Sequence, residues 1–308
     1  MTIAVYGDRK LHQGLVEALA ARGFTEPVGW VEEMGPEQRA QVEILFGWRI
    51  PQSVVDACPR LAWIQGAGAG VDWVLPLKLP PQVVVTRIVD QFGPDMGEFA
   101  LMAALAWVKE YPRILKQQAD RQWTPYLVGQ LATKVVGVLG AGSIGRHIAE
   151  MFRPLVREVR ALGRRPPEIP GIQGFGAADA LHFYHGLDIL VMVLPHTPDT
   201  YHLVGGEEIG RMNRGGYLIN VGRGAVLNES ALIAAVQSGQ LSGACLDVHE
   251  TEPLPSDSPL WTLPGVTVSP HISGPSRRTG MAAVFLENLS RYRQGLPLVG
   301  QVDLARGY

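Results

Sequence analysis

Three side chains in this 308-residue chain have the types and placement to reduce a carbonyl: Arg223, Glu252 and His271. Each follows shortly after an apolar run that reads as a strand, at 217–221, 243–248 and 266–269. The carboxyl ends of parallel strands gather along one edge of a sheet, so the three could converge there. An arginine can hold a carboxylate and polarise a neighbouring keto oxygen. A histidinium can give that oxygen a proton as a hydride reaches the carbon. A carboxylate on the other ring nitrogen keeps the histidine charged and oriented. Reduction of a 2-keto acid needs such a set. Taken singly, each residue has a plainer reading. His271 is one of eight histidines, Arg223 lies in a glycine-flanked turn, and Glu252 precedes Pro253 in a loop. His182 and His185, in HFYH, read as the polar face of a helix and not as metal ligands, since no cysteine or persuasive third ligand is near. No metal is expected.

The hydride would come from a dinucleotide, and the stretch from Lys134 to Arg165 has the form to hold one. Val135, Val136, Val138 and Leu139 read as a buried strand. Gly140, Gly142 and Gly145 follow in the spacing G-x-G-x-x-G, then a helix with Ile144, Ile148, Met151 and Phe152 on its apolar face. A second strand, 156–162, completes a βαβ unit. Gly140 can make the tight turn, Gly142 lets the backbone approach a pyrophosphate, and Gly145 lets helix pack on strand. The helix N-terminus offers free N–H groups to phosphate oxygens. A glycine-rich turn that binds nothing is the alternative. The second strand ends in Leu162-Gly163-Arg164-Arg165, with no acid to take a ribose 2′-hydroxyl. A guanidinium suits a 2′-phosphate, so the residues favour NADPH, with NADH the weaker alternative. Two solvated surface arginines would look the same.

Further elements must position these groups. Strands are expected at 3–6, 42–46, 61–64 and 83–88, with a helix carrying Leu11, Leu15, Val16 and Leu19, so the first hundred residues form an α/β unit of their own. The glycine-rich loop 66–72 ends one of those strands and could form a backbone nest for a carboxylate, or be a flexible turn. Residues 97–115 read as one long helix, apolar nearly all round in its first half, that Pro112 kinks or ends. Residues 166–176 read as loop. Another strand is expected at 188–194, and a helix at 229–238.

Composition agrees with this plan. Apolar residues make up 46% and charged residues 18%, and 27 basic against 29 acidic side chains leave a net charge of −2. Neither nucleic acid nor a membrane surface is called for, so an anionic substrate must be captured locally. Cys58 and Cys245 are too few for a disulfide framework, which fits a reducing cytoplasm. The N-terminus reads as a strand and turn instead of a signal peptide, and no eighteen-residue apolar run is free of charge.

Several stretches together resemble the D-isomer-specific 2-hydroxyacid dehydrogenase family over nearly the full chain: GAGAGVD (66–72), VLGAGSIGRHIA (138–149), VLPHTPDT (193–200), INVGRGAVLNESAL (219–232), LDVHETEPLP (246–255) and SPHISG (269–274). WTLPGVTVSPH (261–271) and the tail GQVDLARGY (300–308) are similar to bacterial glyoxylate/hydroxypyruvate reductases of the A type within that family. The resemblance implies two doubly wound parallel-sheet domains of Rossmann-like α/β form, with the active site in the cleft between them. The substrate domain, flavodoxin-like, would comprise 1–98 plus 275–308, and the dinucleotide domain 99–274. Arg223 would bind substrate, His271 would donate the proton and Glu252 would be its partner. Ala69 and Gly70 would offer N–H groups to the substrate carboxylate, and Trp48 would wall the pocket, unless it is an ordinary core tryptophan.

Cofactor contacts would fall on Gly140, Gly142, Ser143, Ile144, Gly145, Leu194, Pro195, Thr200 and Val221. Asp247 would hold the nicotinamide carboxamide, and Arg164 with Arg165 the 2′-phosphate. The apolar helix near 99–110 would build a homodimer. The implied reaction is NADPH-dependent reduction of small 2-keto acids such as glyoxylate and hydroxypyruvate. A dehydrogenase for bulkier keto acids, or a dinucleotide-sensing corepressor-like protein on the same scaffold, would share most of these features. Two stretches depart from the family pattern. Arg277 and Arg278 stand where small apolar residues are usual, and GPDMG (93–97) is unusual at the domain crossover.

Overall fold

The apolar runs become strands of two sheets whose ladders are all parallel. The structure, a computed structural model, describes residues 1–304 and 306–307; Ala305 and Tyr308 of the tail lie outside the described residues. Two compact units divide the chain, Met1–Phe92 with Ser276–Tyr308, and Gly93–Pro275.

In the first unit the chain runs β1 (Thr2–Tyr6), α1 (Arg9–Ala20), β2 (Val28–Trp30), α2 (Pro36–Arg39), β3 (Val42–Gly47), α3 (Gln52–Asp56), β4 (Trp63–Gly66) and β5 (Val84–Thr86). The strand order β2-β1-β3-β4-β5 is the flavodoxin-like one. Asp8 caps α1 by accepting the Leu11 N–H at 2.7 Å. Strand β2 was not expected. Its three residues are only half-buried and lie at the sheet edge, so they carry no apolar run to read. A buried polar chain ties the sheet together. Trp63 Nε1 donates to Thr86 Oγ1, whose hydroxyl donates to Gln65 Oε1, both at 2.8 Å. Asn288 Nδ2 adds a second donor to that oxygen at 3.2 Å.

The second unit opens with α4 (Gly93–Val108) and α5 (Tyr111–Ala119). The single helix expected over 97–115 is therefore two, and Pro112 does not kink it. Glu110 adopts a left-handed backbone (φ 51°) and breaks the run, and Pro112 sits in the first turn of α5, where its missing N–H costs nothing. GPDMG is the first turn of α4. A Cβ at Gly93 would press within 2.9 Å of the His147 side chain, and one at Gly97 within 2.9 Å of Met151. The two glycines, one helical turn apart, let α4 lie close on the next helix but one.

That helix belongs to the βαβ unit: β6 (Val135–Leu139), α6 (Ser143–Phe152) and β7 (Glu158–Leu162), followed by β8 (Gln173–Phe175). The remainder is α7 (Ala180–Tyr184), β9 (Ile189–Met192), α8 (Gly206–Arg211), β10 (Gly216–Asn220), α9 (Glu229–Gln237), β11 (Leu241–Leu246) and β12 (Val266–Val268). Helix α10 (Arg278–Arg293) then belongs to the first unit. The sheet order β12-β11-β10-β9-β6-β7-β8 reverses direction between β6 and β9, the place where open α/β sheets bind ligands. All five residues of β6 are buried, as are all of β9 and β10. Strand β8, inside the stretch read as loop, is a short edge strand like β2.

Candidate active site

The three glycines after β6 each meet a different demand. Gly140 has φ +108°, and a Cβ there would come within 2.9 Å of the Val193 carbonyl oxygen at the end of β9. Gly145 has no room either, because its Cβ would collide with the Gly140 carbonyl. Around Gly142 no heavy atom of a neighbouring element lies within 4 Å of a Cβ position. This backbone is open to a phosphate at the N-terminus of α6, which begins at Ser143 and Ile144. The Gly140 N–H donates to Leu162 O at 2.9 Å, so the turn is fastened to the end of β7. Arg164 and Arg165, both exposed, follow that end, and Gly163 borders Ala141 of the turn.

A line of close backbone approaches continues along the strand ends. A Cβ at Gly222 would lie 2.8 Å from Leu194 O, so the turn after β10 presses on the segment after β9. A Cβ at Gly224 would collide with the His249 carbonyl group, so the same turn also abuts the loop after β11. Arg223 stands between those two glycines. Its Nη1 donates to Gly222 O at 2.9 Å. The fully buried Asn220 braces this turn: its Oδ1 accepts from Gly222 N–H, and its Nδ2 donates to Arg223 O, both at 3.1 Å. Of the other expected cofactor residues, Val221 is buried and bonds Met192 O through its N–H, and the Thr200 hydroxyl donates to Pro195 O at 2.8 Å.

Glu252 and His271 meet. His271 Nδ1 lies 2.9 Å from Glu252 Oε2, and the other oxygen, Oε1, accepts the His249 N–H at 3.2 Å. Both carboxylate oxygens are thus engaged, which fixes the ring's orientation. His271 Nε2 has no hydrogen-bond partner among the described residues, and the side chain is 43% exposed. His271 itself has a left-handed backbone, φ 56°.

Asp247 holds that backbone. Its carboxylate, fully buried, accepts from Ser269 Oγ at 2.6 Å, Ile272 N–H at 2.9 Å and Ser273 N–H at 2.8 Å, while its carbonyl accepts the His271 N–H at 2.9 Å. Burial alone would push the Asp247 carboxyl up, but the hydrogen bonds from Ser269, Ser273 and Ile272 outweigh it and hold the group below its ordinary value. Asn220, His249 and Ser269 were not singled out in the sequence. They are polar residues at strand ends with no distinctive spacing, and only their bonds reveal them.

In the first unit, the loop 66–72 follows β4. A Cβ at Gly68 would stand 2.7 Å from the Trp48 ring, so Trp48 lies against this loop, and its ring tilts onto Trp73 at 6.0 Å. The N–H groups of Ala69 and Gly70 donate to no acceptor among the described residues. His182 and His185 are exposed, on α7 and at its end, and among the described residues no group of three or more metal-ligating side chains occurs. Among those residues also, no helix is long and apolar enough to cross a membrane.

A phosphate-open glycine turn at the switch point, with an oriented histidine–carboxylate pair on the same sheet's strand ends, defines a dinucleotide-dependent oxidoreductase. Residues 101–273 match the family model of the D-isomer specific 2-hydroxyacid dehydrogenase, NAD binding domain. The chain belongs to the D-isomer specific 2-hydroxyacid dehydrogenase family. It is 32% identical over 300 residues to glyoxylate/hydroxypyruvate reductase A of Serratia proteamaculans, covering 95% of this chain and 96% of that one. A D-isomer specific 2-hydroxyacid dehydrogenase from Xanthobacter autotrophicus Py2, solved with NADPH and MES, matches with TM-score 0.92 and 32% identity, over 100% of this chain and 99% of that one. An NADPH-dependent glyoxylate/hydroxypyruvate reductase from Sinorhizobium meliloti, solved with NADP and sulfate, matches with TM-score 0.92 and 27% identity over 100% of both chains.

Proposed function

We propose that this enzyme reduces small 2-keto acids, glyoxylate and hydroxypyruvate foremost, with NADPH as reductant and His271 as proton donor. The observation that carries the reading is the His271 Nδ1–Glu252 Oε2 contact, which leaves Nε2 to face a substrate oxygen. The relatives named as glyoxylate/hydroxypyruvate reductases, and the NADPH or NADP in two similar structures, support the choice of substrate and cofactor.

The residues fit a dinucleotide. Gly142 and the N-terminus of α6, at Ser143 and Ile144, would take the pyrophosphate. Arg164 and Arg165 would take the 2′-phosphate, since two guanidiniums and no carboxylate follow β7. Leu194, Pro195, Thr200 and Val221 would border the nicotinamide half. Asp247 is foremost the brace of the His271 loop, and any contact with the carboxamide would come beside the bonds it already accepts. When bound, the nicotinamide supplies the hydride. Arg223 would grip the substrate carboxylate and polarise the keto oxygen. His271 would release its Nε2 proton to that oxygen as it gains charge, and Glu252 would stabilise the imidazolium beforehand. Solvent returns the proton afterwards. The first unit would serve as the substrate domain, with Ala69 and Gly70 offering N–H groups to the carboxylate and Trp48 walling the pocket. A homodimer in the cytoplasm completes the reading.

Replacing His271 by Gln tests it. Turnover should fall about 10²- to 10⁴-fold with NADPH affinity nearly unchanged. Near-normal turnover would remove the proton-donor role.

A further inference from the structure

Strand β5 ends at Thr86, and the next residue is an arginine. Arg87 is fastened on both sides: its own N–H donates to Gly300 O at 3.0 Å, and the Ile88 N–H donates to Gly68 O at 2.9 Å. The second bond joins the Arg87 segment directly to the glycine loop 66–72. The loop's first glycine is close as well, since a Cβ at Gly66 would stand 3.3 Å from Thr86 O and 4.0 Å from Arg87 Cα. The side chain is half-buried, yet among the described residues it donates no hydrogen bond and forms no ion pair. A guanidinium carries five N–H donors, and partial burial takes some of their hydration without giving them a protein acceptor among the described residues. Burial pushes the guanidinium below its ordinary pKa, and the charge of Asp90, three residues on, offsets only part of that. The loop beside it carries the undonated N–H groups of Ala69 and Gly70. Backbone N–H groups attract an anion through partial charges only. An adjacent guanidinium supplies a full charge and a fork that matches a carboxylate.

We infer that Arg87 is a further substrate-binding residue, which pairs with the carboxylate seated on the 66–72 loop and makes the enzyme select 2-keto acids over neutral carbonyl compounds. The inference rests on the proposed 2-keto acid reductase reading. It adds a second cationic group to that site, on the same unit as the loop. It also agrees with the chain's small net charge of −2, which leaves anion capture to local groups.

The test compares glyoxylate with its neutral amide, glyoxylamide, using the full-length enzyme and NADPH. Arg87→Gln should raise KM for glyoxylate by about tenfold or more with a smaller change in kcat, and leave kcat/KM for glyoxylamide within about twofold. Inhibition by oxamate should weaken in parallel. Asp90→Asn provides a second variant that keeps Arg87 and removes its competing carboxylate. Position 90 has φ 56°, which asparagine tolerates. That variant should lower KM for glyoxylate and not for the amide. An acid-to-amide preference equal to the wild type's in both variants would overturn the role of Arg87. If Arg87→Gln does not fold, the Asp90→Asn preference decides alone. A wild-type enzyme that turns over no 2-keto acid would sink the reductase reading itself, a different outcome.

Discussion

His271 spends backbone energy to present its ring, since a left-handed conformation costs a residue with a Cβ about 1 kcal/mol. Asp247 opposes that cost with its bonds to Ser269, Ile272 and Ser273. Asp247→Asn keeps the size but loses the charge and one acceptor, and should destabilise the protein by about 2–4 kcal/mol in urea unfolding. The pH dependence has a definite sign. A carboxyl held below its ordinary value of 3.8 contributes stability above that pH and loses it as pH falls through the folded-state value. The gap between wild type and Asp247→Asn should therefore be constant at neutral pH and narrow below about pH 4. A gap that widened on acidification would contradict the assignment. The histidine and its acid were legible from their residue types and their places after strands. The aspartate's bracing was not, because nothing in a sequence tells which groups a buried carboxylate will accept from.

At the scale of elements, the turn between β6 and α6 separates two kinds of glycine. Gly145 is excluded from growing by the protein itself, and Gly142 by nothing in the protein. Gly145→Ala should lower stability by about 1–3 kcal/mol and weaken NADPH binding as the turn shifts. Gly142→Ala should leave the melting temperature nearly unchanged and still weaken NADPH binding. If it bound NADPH normally, the pyrophosphate would not lie there. This βαβ unit could be read directly, because a buried strand, a glycine turn and an amphipathic helix each leave a local pattern. Strands β2 and β8 could not, since three-residue edge strands have no period. The break between α4 and α5 leaves no local pattern for another reason: Glu110 has no intrinsic preference for its left-handed backbone, and Pro112 lies two residues beyond it, inside the first turn of α5. GPDMG made sense only once α6 lay across it.

At the scale of the molecule, α4 turns one face to α6 and leaves Met102 53% and Leu105 39% exposed. Trp123 and Leu127, farther along the second unit, are 95% and 96% exposed. Apolar side chains so exposed suit a partner surface, and a second copy of the chain is the proposed occupant. Light scattering should give twice the chain mass, and Met102→Glu with Leu105→Glu should halve it. A monomeric wild type would contradict the dimer. The whole molecule's reaction is checked by following NADPH and NADH oxidation with glyoxylate, hydroxypyruvate, pyruvate and phenylpyruvate in turn. Fast turnover of the first two, with NADPH well ahead of NADH, is the result expected from Arg164, Arg165 and the Glu252–His271 pair. Turnover of bulky keto acids alone would contradict the substrate. Tight NADPH binding with no turnover of any of the four would contradict the reductase itself.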